Sequence, residues 1–240
     1  MIRMTWREDC LHKLAAAATS TDAIVVELAR IVRGLEFEYC SYVLRAGAPT
    51  SNPPVIWSST YPQDWLDCYF GNHYLAIDPV LQGLSRQDAP MTWADTTADG
   101  DGRFWEDARA HGINHGWAVA SYGRHMTIGM LSLARSASPI TAPELAKTEM
   151  KLVWLSQVVH SLIAAVELQK IADPSAYTLT KREREILRWS AAGKTADEIA
   201  SILAITERTV TFHVTSALTK LNAVNKTQAV AKALLLGLLN

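Results

Sequence analysis

The sequence of 240 residues has little of what several classes of protein require. Its three cysteines, Cys10, Cys40 and Cys68, are too few and too scattered for a disulfide framework or a zinc site, which predicts buried reduced thiols. No stretch reaches the uninterrupted apolar length, about 18 residues, that a membrane span needs. The first residues carry acids early and include no apolar segment, so no signal peptide is expected. These absences predict a cytoplasmic protein without a membrane partner.

The sequence also lacks common signatures of catalysis. It contains no Gly-x-Ser-x-Gly nucleophile elbow, and its histidines are too dispersed for a metal site. The run from Gly193 to Thr195 resembles the end of a phosphate-binding loop, but Arg188 stands where that loop needs its first glycine. A predicted helix rather than a strand precedes the run. We therefore expect neither an enzyme nor a bound metal or cofactor.

Charge and tryptophan content divide the chain into two parts. Residues 1–175 carry 14 Lys and Arg against 19 Asp and Glu, whereas residues 176–240 carry 9 against 5. Seven of the eight tryptophans lie in the first part, and an Asp-Pro pair with small polar residues interrupts helical sequence at 171–178. This pattern predicts a domain over 1–170, a linker over 171–178 and a domain over 179–240. The basic tail suits a polyanion, although charge alone fits a solvated basic face equally well.

The first domain is predicted to have helices on both sides of a short sheet. A helix capped by Asp22 carries an apolar stripe, and strands are expected at 37–44, 53–57, 117–122 and 127–133, the last two as a hairpin. A long amphipathic helix over 143–170 follows, with its apolar face drawn through Leu145, Met150, Val153, Trp154, Val158, Leu162 and Val166. These elements predict an α/β/α sandwich. With the helical second domain, the chain is α+β.

The second domain is predicted to consist of four helices. Thr180 and Glu183 form a capping box for the first, while Thr195, Thr206 and Asn225 cap the others. The third helix has an apolar stripe of Val210, Val214, Leu218 and Leu221, and hydroxyl-bearing residues on its opposite face. Two helices joined by a tight turn can place the second in the major groove of DNA. A plain four-helix packing module is the alternative.

Residues at fixed spacing in the second domain closely resemble the LuxR-type helix-turn-helix. They are the run Leu179 to Leu187, Ala192 to Thr195, Glu198 to Ala200, Thr209-Val210, His213 and Lys220-Leu221. This sequence departs from the family at Thr211, where a lysine is usual. The resemblance implies a partner of double-stranded DNA at a pseudo-palindromic site. The candidate DNA-binding residues are Lys194, Thr195, Thr206, Arg208, Thr209, Thr211, His213, Lys220 and Lys226.

Aromatic residues and one acid form a candidate site in the first domain. Tyr61, Trp65 and Tyr69 are spaced to line one face of a helix, and Trp93 follows a further short helix. Such a stripe is more often core than ligand site. Asp78 lies in an otherwise apolar stretch, where a buried carboxylate needs a hydrogen-bond partner. Alternatively, Asp78 caps the following helix, with Pro79 at its first position.

The segment from Trp57 to Trp93, together with the run from Gly129 to Leu133, resembles the autoinducer-binding domain of quorum-sensing LuxR-family receptors. The resemblance implies that the ligand is an N-acyl homoserine lactone. In that arrangement Trp65 donates to the lactone carbonyl and Asp78 accepts from the amide N–H. Tyr61 and Ser132 donate to the amide carbonyl, while Tyr69 and Trp93 form walls.

The sequence supports one leading function and leaves two alternatives. The leading one is a lactone-responsive transcriptional regulator that binds DNA as a homodimer, with RNA polymerase as a further candidate partner. A second is a regulator of the same architecture that is controlled by a partner protein or a non-lactone ligand. In the third, an enzyme, Asp78 is the acid and base of a lactone hydrolase. Detection of ligand turnover would distinguish the enzyme from the regulators.

Overall fold

The computed structural model describes residues 4–45, 55–84, 86, 89–96, 102–171 and 178–239, apart from a few of their side chains. The described chain forms two compact units. The larger unit spans 1–45, 55–123 and 127–167, and the smaller one is formed mainly by 168–240. Most of the predicted linker at 171–178 lies outside the described residues, so its bounds remain a prediction.

The larger unit is built around a five-stranded antiparallel sheet with the strand order β2-β1-β5-β4-β3. Its strands are β1 Tyr39–Arg45, β2 Val55–Ser59, β3 Met91–Thr92, β4 His115–Tyr122 and β5 Ile128–Arg135. Its helices are α1 Trp6–Ala16, α2 Thr21–Arg33, α3 Gln63–Gly71, α4 Pro79–Leu84, α5 Gly102–Ala110 and α6 Ala142–Ile171. The hairpin of β4 and β5 and the long α6 were predicted. The sequence reasoning missed α1, α5 and β3.

Side-chain alternation along the strands gives the sheet two apolar faces. Tyr42 on β1 and Leu131 on β5 are buried with α1, α2 and α6 on one face. Ala118 on β4 and Ala134 on β5 belong to a second core, shared with residues of α3, α4 and α5. The sheet is therefore covered by helices on both faces, and the predicted α/β/α sandwich is confirmed.

The start of α2 differs from its prediction. Ser20, not Asp22, is the N-cap, and its hydroxyl oxygen accepts a hydrogen bond from the Ala23 N–H. Asp22 lies in the first turn, where its carboxylate accepts from the Ser58 hydroxyl at 2.6 Å. Both residue types cap helices well, so the sequence allowed either. The contact with β2 explains why the acid is turned away from the helix end.

The buried ridge of α6 also differs from the predicted stripe. Leu152, Leu155, Val159 and Ile163 are fully buried against the sheet. Of the residues predicted to be buried, Met150 is 74% exposed and the others are only partly buried. Two adjacent apolar rows run along this helix, and the spacing fits both. By length and composition alone, 142–168 could also cross a membrane, but its ridge packs as a core helix does.

A buried histidine ties α6 to the sheet. His160 is fully buried, with Nδ1 2.7 Å from the Tyr42 hydroxyl and Nε2 3.1 Å from the Thr127 hydroxyl. A Cβ at Gly129 would overlap both the Tyr42 hydroxyl and the His160 ring. Glycine at this position therefore lets the helix and its polar contacts approach β5.

Beyond α6, the described residues of the smaller unit form four helices, and their predicted caps are all present. The helices are α7 Lys181–Ala191, α8 Ala196–Leu203, α9 Glu207–Lys220 and α10 Lys226–Leu235. Thr180 and Thr195 form capping boxes, and Thr206 and Asn225 cap the other two helices. Val210 and Leu221 are fully buried as expected, whereas Val214 and Leu218 are half-buried and Ala217 completes the core ridge.

Glu183 is a buried acid at the centre of the smaller unit. Its side chain is 3% exposed. Its carboxylate accepts hydrogen bonds from the Lys220 ammonium at 2.8 Å, the Ser216 hydroxyl at 2.7 Å and the Thr180 N–H at 2.7 Å. Burial opposes ionisation, but hydrogen bonds from Lys220, Ser216 and Thr180 outweigh it and lower the pKa of Glu183 to about 2. The acid therefore joins α7 to α9.

We expect Glu183→Ala to lower the free energy of unfolding of this unit by about 3 kcal/mol, because it leaves the Lys220 ammonium without its buried partner. A depressed pKa stabilises above the unfolded value of 4.5, and this stabilisation is lost as pH falls towards about 2. The difference in the free energy of unfolding between the wild type and the variant should therefore become smaller as the pH falls from 4.5 towards about 2. Urea titrations from pH 2 to pH 7 measure this difference, followed by the fluorine signal of 5-fluorotryptophan at position 189.

The control is Glu185→Ala, on the same helix, whose side chain is 44% exposed. This substitution should lower the free energy of unfolding by about 1 kcal/mol or less. Equal losses would contradict the prediction.

Candidate ligand cavity and DNA-facing helix

The larger unit contains a cavity of about 210 Å³, lined from one face of the sheet and by α3, α4 and α5. Its lining is almost entirely apolar and aromatic, with a few polar side chains. The structure brings all six sequence-predicted ligand residues to this one cavity. They are Tyr61, Trp65, Tyr69, Asp78, Trp93 and Ser132.

Strand alternation supplies cavity residues that the sequence reasoning missed. Ser41 and Val43 line the cavity from β1, and Met130 lines it beside Ser132 on β5. In each strand these residues are two apart, so they share a face of the pleat. The unpredicted α5 adds further wall. Its contribution, with the adjoining loop, is Phe104, Trp105, Ala108 and Ile113.

Tyr61 reaches the cavity from a loop rather than from a helix. The helix α3 begins at Gln63 with Pro62 as its N-cap residue, so the predicted helical stripe holds for Trp65 and Tyr69 only. The Tyr61 N–H donates to the Ser59 hydroxyl oxygen at 3.0 Å, which fixes the loop. Burial raises the pKa of Tyr61, whose hydroxyl is hydrogen-bonded with Ser132. These two hydroxyls therefore lie side by side at the cavity.

Asp78 caps a helix and lines the cavity at the same time. Its Oδ1 accepts from the backbone N–H of Val80 at 2.8 Å and of Leu81 at 3.3 Å, at the start of α4. Its Oδ2 accepts from the Tyr69 hydroxyl at 2.8 Å. Burial raises the pKa of Asp78, and the hydrogen bonds from Tyr69, Val80 and Leu81 act against it. The capping and ligand-binding interpretations of this residue are therefore compatible.

Tryptophans dominate the aromatic part of the wall. Trp65 packs edge-on against Tyr69 and Phe104, with ring centroids 5.7 and 5.9 Å away. Trp93 is 6% exposed, and its indole N–H has no hydrogen-bond partner within the described structure. A Cβ at Gly116 on β4 would overlap the Trp93 ring. Glycine there lets the indole pack closely against the strand.

The cavity wall reaches the protein surface between β2 and α3. Trp57 and Phe70 meet edge to face with centroids 5.0 Å apart, and both are partly exposed. The Trp57 indole N–H donates to the Ser41 hydroxyl at 2.9 Å, which holds this ring in place. Leu75, which is 56% exposed, lies on the same wall. An apolar chain can therefore extend toward this rim while polar groups stay near Asp78.

The structure gives several predicted DNA-binding residues a partner inside the smaller unit. The Thr195 and Thr206 hydroxyl oxygens accept from backbone N–H groups as helix caps. Lys194 pairs with Glu198 at 3.0 Å on the surface, whereas Lys220 is bound to the buried Glu183. A threonine that caps a helix can still contact DNA with the rest of its side chain. Lys220, by contrast, has its ammonium group bound within the domain.

The other candidates lie on or near the exposed side of α9. Arg208 and Thr211 are exposed, Thr209 and His213 are half-buried, and Lys226 is exposed in the first turn of α10. Phe212, which the sequence reasoning did not select, is 68% exposed between them. Its position four residues after Arg208 places it on the same helical face. This spacing from Arg208 is the sequence signal that could have selected Phe212.

The described residues contain no cluster of three or more His, Cys, Asp or Glu side chains that could hold a metal ion. The cavity itself is mainly apolar, with convergent hydroxyl, carboxylate and indole groups. That arrangement suits a largely apolar ligand with a few hydrogen-bonding atoms.

Comparisons with known proteins show the family of both parts of the chain. Residues 20–163 match the autoinducer binding domain family, and residues 177–233 match bacterial regulatory proteins of the luxR family. The chain is 43% identical over 214 residues to the transcriptional activator protein SolR of Ralstonia nicotianae, covering 89% of this chain and 90% of SolR.

Two solved structures are also similar. Escherichia coli SdiA in complex with octanoyl-rac-glycerol has a TM-score of 0.76 and 31% identity, covering 100% of this chain and 99% of that one. CepR2 of Burkholderia cenocepacia, described as N-acylhomoserine lactone dependent, has a TM-score of 0.58 and 27% identity, covering 67% of this chain and 97% of that one.

Proposed function

Since the chain belongs to the LuxR family of quorum-sensing transcriptional regulators, we propose that its autoinducer is an N-acyl homoserine lactone held in the aromatic cavity. Such a ligand is neutral and mostly apolar, with one amide N–H and a few carbonyl oxygens. The cavity offers a matching set of groups. The lactone dependence of CepR2, which shares this fold, supports the same class of ligand.

The observation that carries this proposal is the buried carboxylate of Asp78 on an otherwise apolar wall. Asp78 accepts the ligand amide N–H, and Trp65 donates its indole N–H to the lactone carbonyl. Tyr61 and Ser132 donate to the amide carbonyl. Tyr69 and Trp93 enclose the lactone and the start of the acyl chain. A donor added at Asp78 satisfies a charge that burial disfavours.

The test is mass spectrometry of small molecules extracted from the chain after expression with a mixed panel of acyl homoserine lactones and octanoyl-rac-glycerol. Recovery of an intact lactone supports the proposal. Recovery of the glycerol ester alone favours a non-lactone ligand, a second candidate that the SdiA complex suggests. A hydrolysed lactone indicates an enzyme, and recovery of nothing favours control by a partner protein.

The second half of the proposal concerns DNA. The cytoplasmic chain, with its autoinducer-binding domain at 1–170, a linker at 171–178 and its DNA-binding domain at 179–240, binds a pseudo-palindromic duplex as a homodimer. One helix-turn-helix reads too few base pairs alone. The exposed apolar side chains of α6 and the region from Leu218 to Leu239 are the candidate dimer surfaces. RNA polymerase is a further proposed partner. The candidate DNA contacts are Lys194, Thr195, Thr206, Arg208, Thr209, Thr211, His213, Lys220 and Lys226.

DNA binding is expected to depend steeply on salt, with a slope that Arg208→Ala reduces. Each neutralised phosphate adds about 0.9 to the slope of log K against log salt. Two Arg208 side chains per dimer therefore account for about two units. Fluorescence anisotropy at several salt concentrations, on a duplex selected from a random pool, measures the slope. Arg30→Ala, an exposed arginine of the larger unit, should leave it unchanged. A flat salt profile with tight binding by a monomer would contradict the proposal.

A further inference from the structure

The outward face of α9 carries an aromatic ring and threonines where cations would be expected on a DNA-facing helix. Arg208, Thr211, Phe212 and Thr215 follow one another at helical spacing and, together with Glu207 at the start of the helix, line one open cleft. Phe212 is 68% exposed, although burying an aromatic ring of this size would be favourable. Within the smaller unit the ring meets the His213 ring edge to face, with centroids 5.5 Å apart, and most of its surface stays open to a partner.

The hydroxyl groups on this face are partly used by the helix itself. The Thr215 hydroxyl donates to the Thr211 carbonyl at 3.0 Å, and the Thr219 hydroxyl donates to the Thr215 carbonyl at 3.2 Å. With their protons engaged, these threonines leave a methyl group and an acceptor oxygen for a partner. Acceptors do not bind phosphate oxygens. The part of the face around Phe212 and Thr215 is therefore suited to methyl contacts rather than to phosphate contacts.

Lys220, the second long cation of α9, does not add a phosphate-binding group to this face. Its ammonium is bound to the buried Glu183. Arg208 stands at the N-terminal end of the face and is exposed. A guanidinium at that end can bind a base edge or a phosphate, with the apolar centre one turn further along.

We propose that this helix recognises DNA through the 5-methyl groups of thymine, with Phe212 as the main contact and Thr215 beside it. In the major groove a thymine presents a methyl group, which apolar side chains recognise by contact. The inference rests on the DNA-binding function proposed above. It adds that specificity at the centre of each half-site comes from apolar contact, and that 5-methylcytosine can replace thymine there because it carries the same methyl group.

The test uses the full-length chain, expressed with a mixed panel of acyl homoserine lactones, and a duplex operator selected from a random pool. Each thymine of the half-site is replaced in turn by uracil, which removes only the methyl group. Loss of one buried methyl contact should weaken binding about fourfold. We expect this loss at one or two thymines per half-site.

Variants of Phe212 then assign the contact. Because the ring is exposed, Phe212→Ala should fold normally, bind the thymine operator more weakly and lose its sensitivity to uracil. Phe212→Leu should keep part of that sensitivity. Val26→Ala, a 45% exposed apolar residue of α2 in the larger unit, is the control and should behave as the wild type does.

The outcomes separate this inference from the proposed function. An enriched operator whose thymine and uracil forms bind the wild type equally contradicts the inference alone. A Phe212→Ala variant that keeps the uracil effect contradicts it as well. Failure to enrich any duplex contradicts both the inference and DNA binding by this chain.

Discussion

Asp78→Asn is expected to raise the half-saturating concentration of the ligand by about 10- to 150-fold, because a charge-assisted hydrogen bond is worth about 1.5–3 kcal/mol. Asparagine keeps an amide oxygen that can still accept from Val80 and Leu81 as a helix cap. The substitution removes the charge, and its amide group can turn a donor toward the ligand N–H. The effect should therefore fall on the ligand more than on the fold.

A reporter dose-response with the full-length chain, together with ligand titration of the purified protein, measures this shift. Asp95→Asn is the matched control. Asp95 also accepts a hydrogen bond at the start of a short helical turn, from the N–H of the N-cap residue Thr92 at 2.9 Å, but it is not among the residues that line the cavity. An unchanged half-saturating concentration for Asp78→Asn would refute the assigned role. If Asp95→Asn raised the half-saturating concentration by a similar factor, the effect of Asp78→Asn would be a general loss of the fold and not the loss of a ligand contact.

The helix ends of the smaller unit could be predicted because capping is local. Each of Thr180, Thr195, Thr206 and Asn225 stands directly before an amphipathic segment, and its partner is an N–H within three residues. No tertiary information is needed for that. The ion pair of Glu183 with Lys220 was not predicted, because it joins residues 37 positions apart whose meeting depends on how α7 packs on α9.

The cavity was predictable only in part, for a similar reason. Trp65, Tyr69 and Asp78 stand close in sequence and stood out by residue type. Ser41 and Met130 come from strands that pair only in the folded sheet, with Val43 opposite Met130 and Ser41 opposite Ser132. Alternation shows that such residues share a face, but not which face holds a cavity. The resemblance, not the spacing, brought Ser132 into the predicted set.

The buried ridge of α6 shows the limit of periodicity. Leu152, Leu155, Val159 and Ile163 lie beside a second apolar row that includes Val158 and Leu162, and both rows satisfy helical spacing. Which row is buried depends on the rotation of the helix on the sheet. Contacts such as that between His160 and Tyr42 fix this rotation. A wide apolar face is also what a helix needs if a second copy of the chain packs on it.

The second large effect is expected on stability. A bound lactone should raise the melting temperature of the larger unit by about 5–10 °C at a ligand concentration of 100 times its dissociation constant, since mass action alone contributes about 2.7 kcal/mol. The physical source is the cavity of about 210 Å³. An unfilled cavity of that size costs about 5 kcal/mol at roughly 24 cal/mol per Å³, which is a large part of a typical total stability of about 5–15 kcal/mol.

Thermal unfolding of the full-length chain with a series of acyl homoserine lactones of increasing chain length measures this effect. With every lactone at the same molar concentration, the rise should grow with each added CH₂ group that finds apolar wall, at about 0.8 kcal/mol per group. It should level off once the chain passes the rim at Trp57, Phe70 and Leu75. The chain length at the plateau identifies the preferred signal.

Homoserine lactone without an acyl chain is the control, and it should raise the melting temperature very little. Asp78→Asn should reduce the rise for every lactone by the same amount, because the amide lies at the same place in each. If no lactone moves the melting temperature while octanoyl-rac-glycerol does, the cavity binds a different ligand, and if neither does, ligand control of this chain is contradicted.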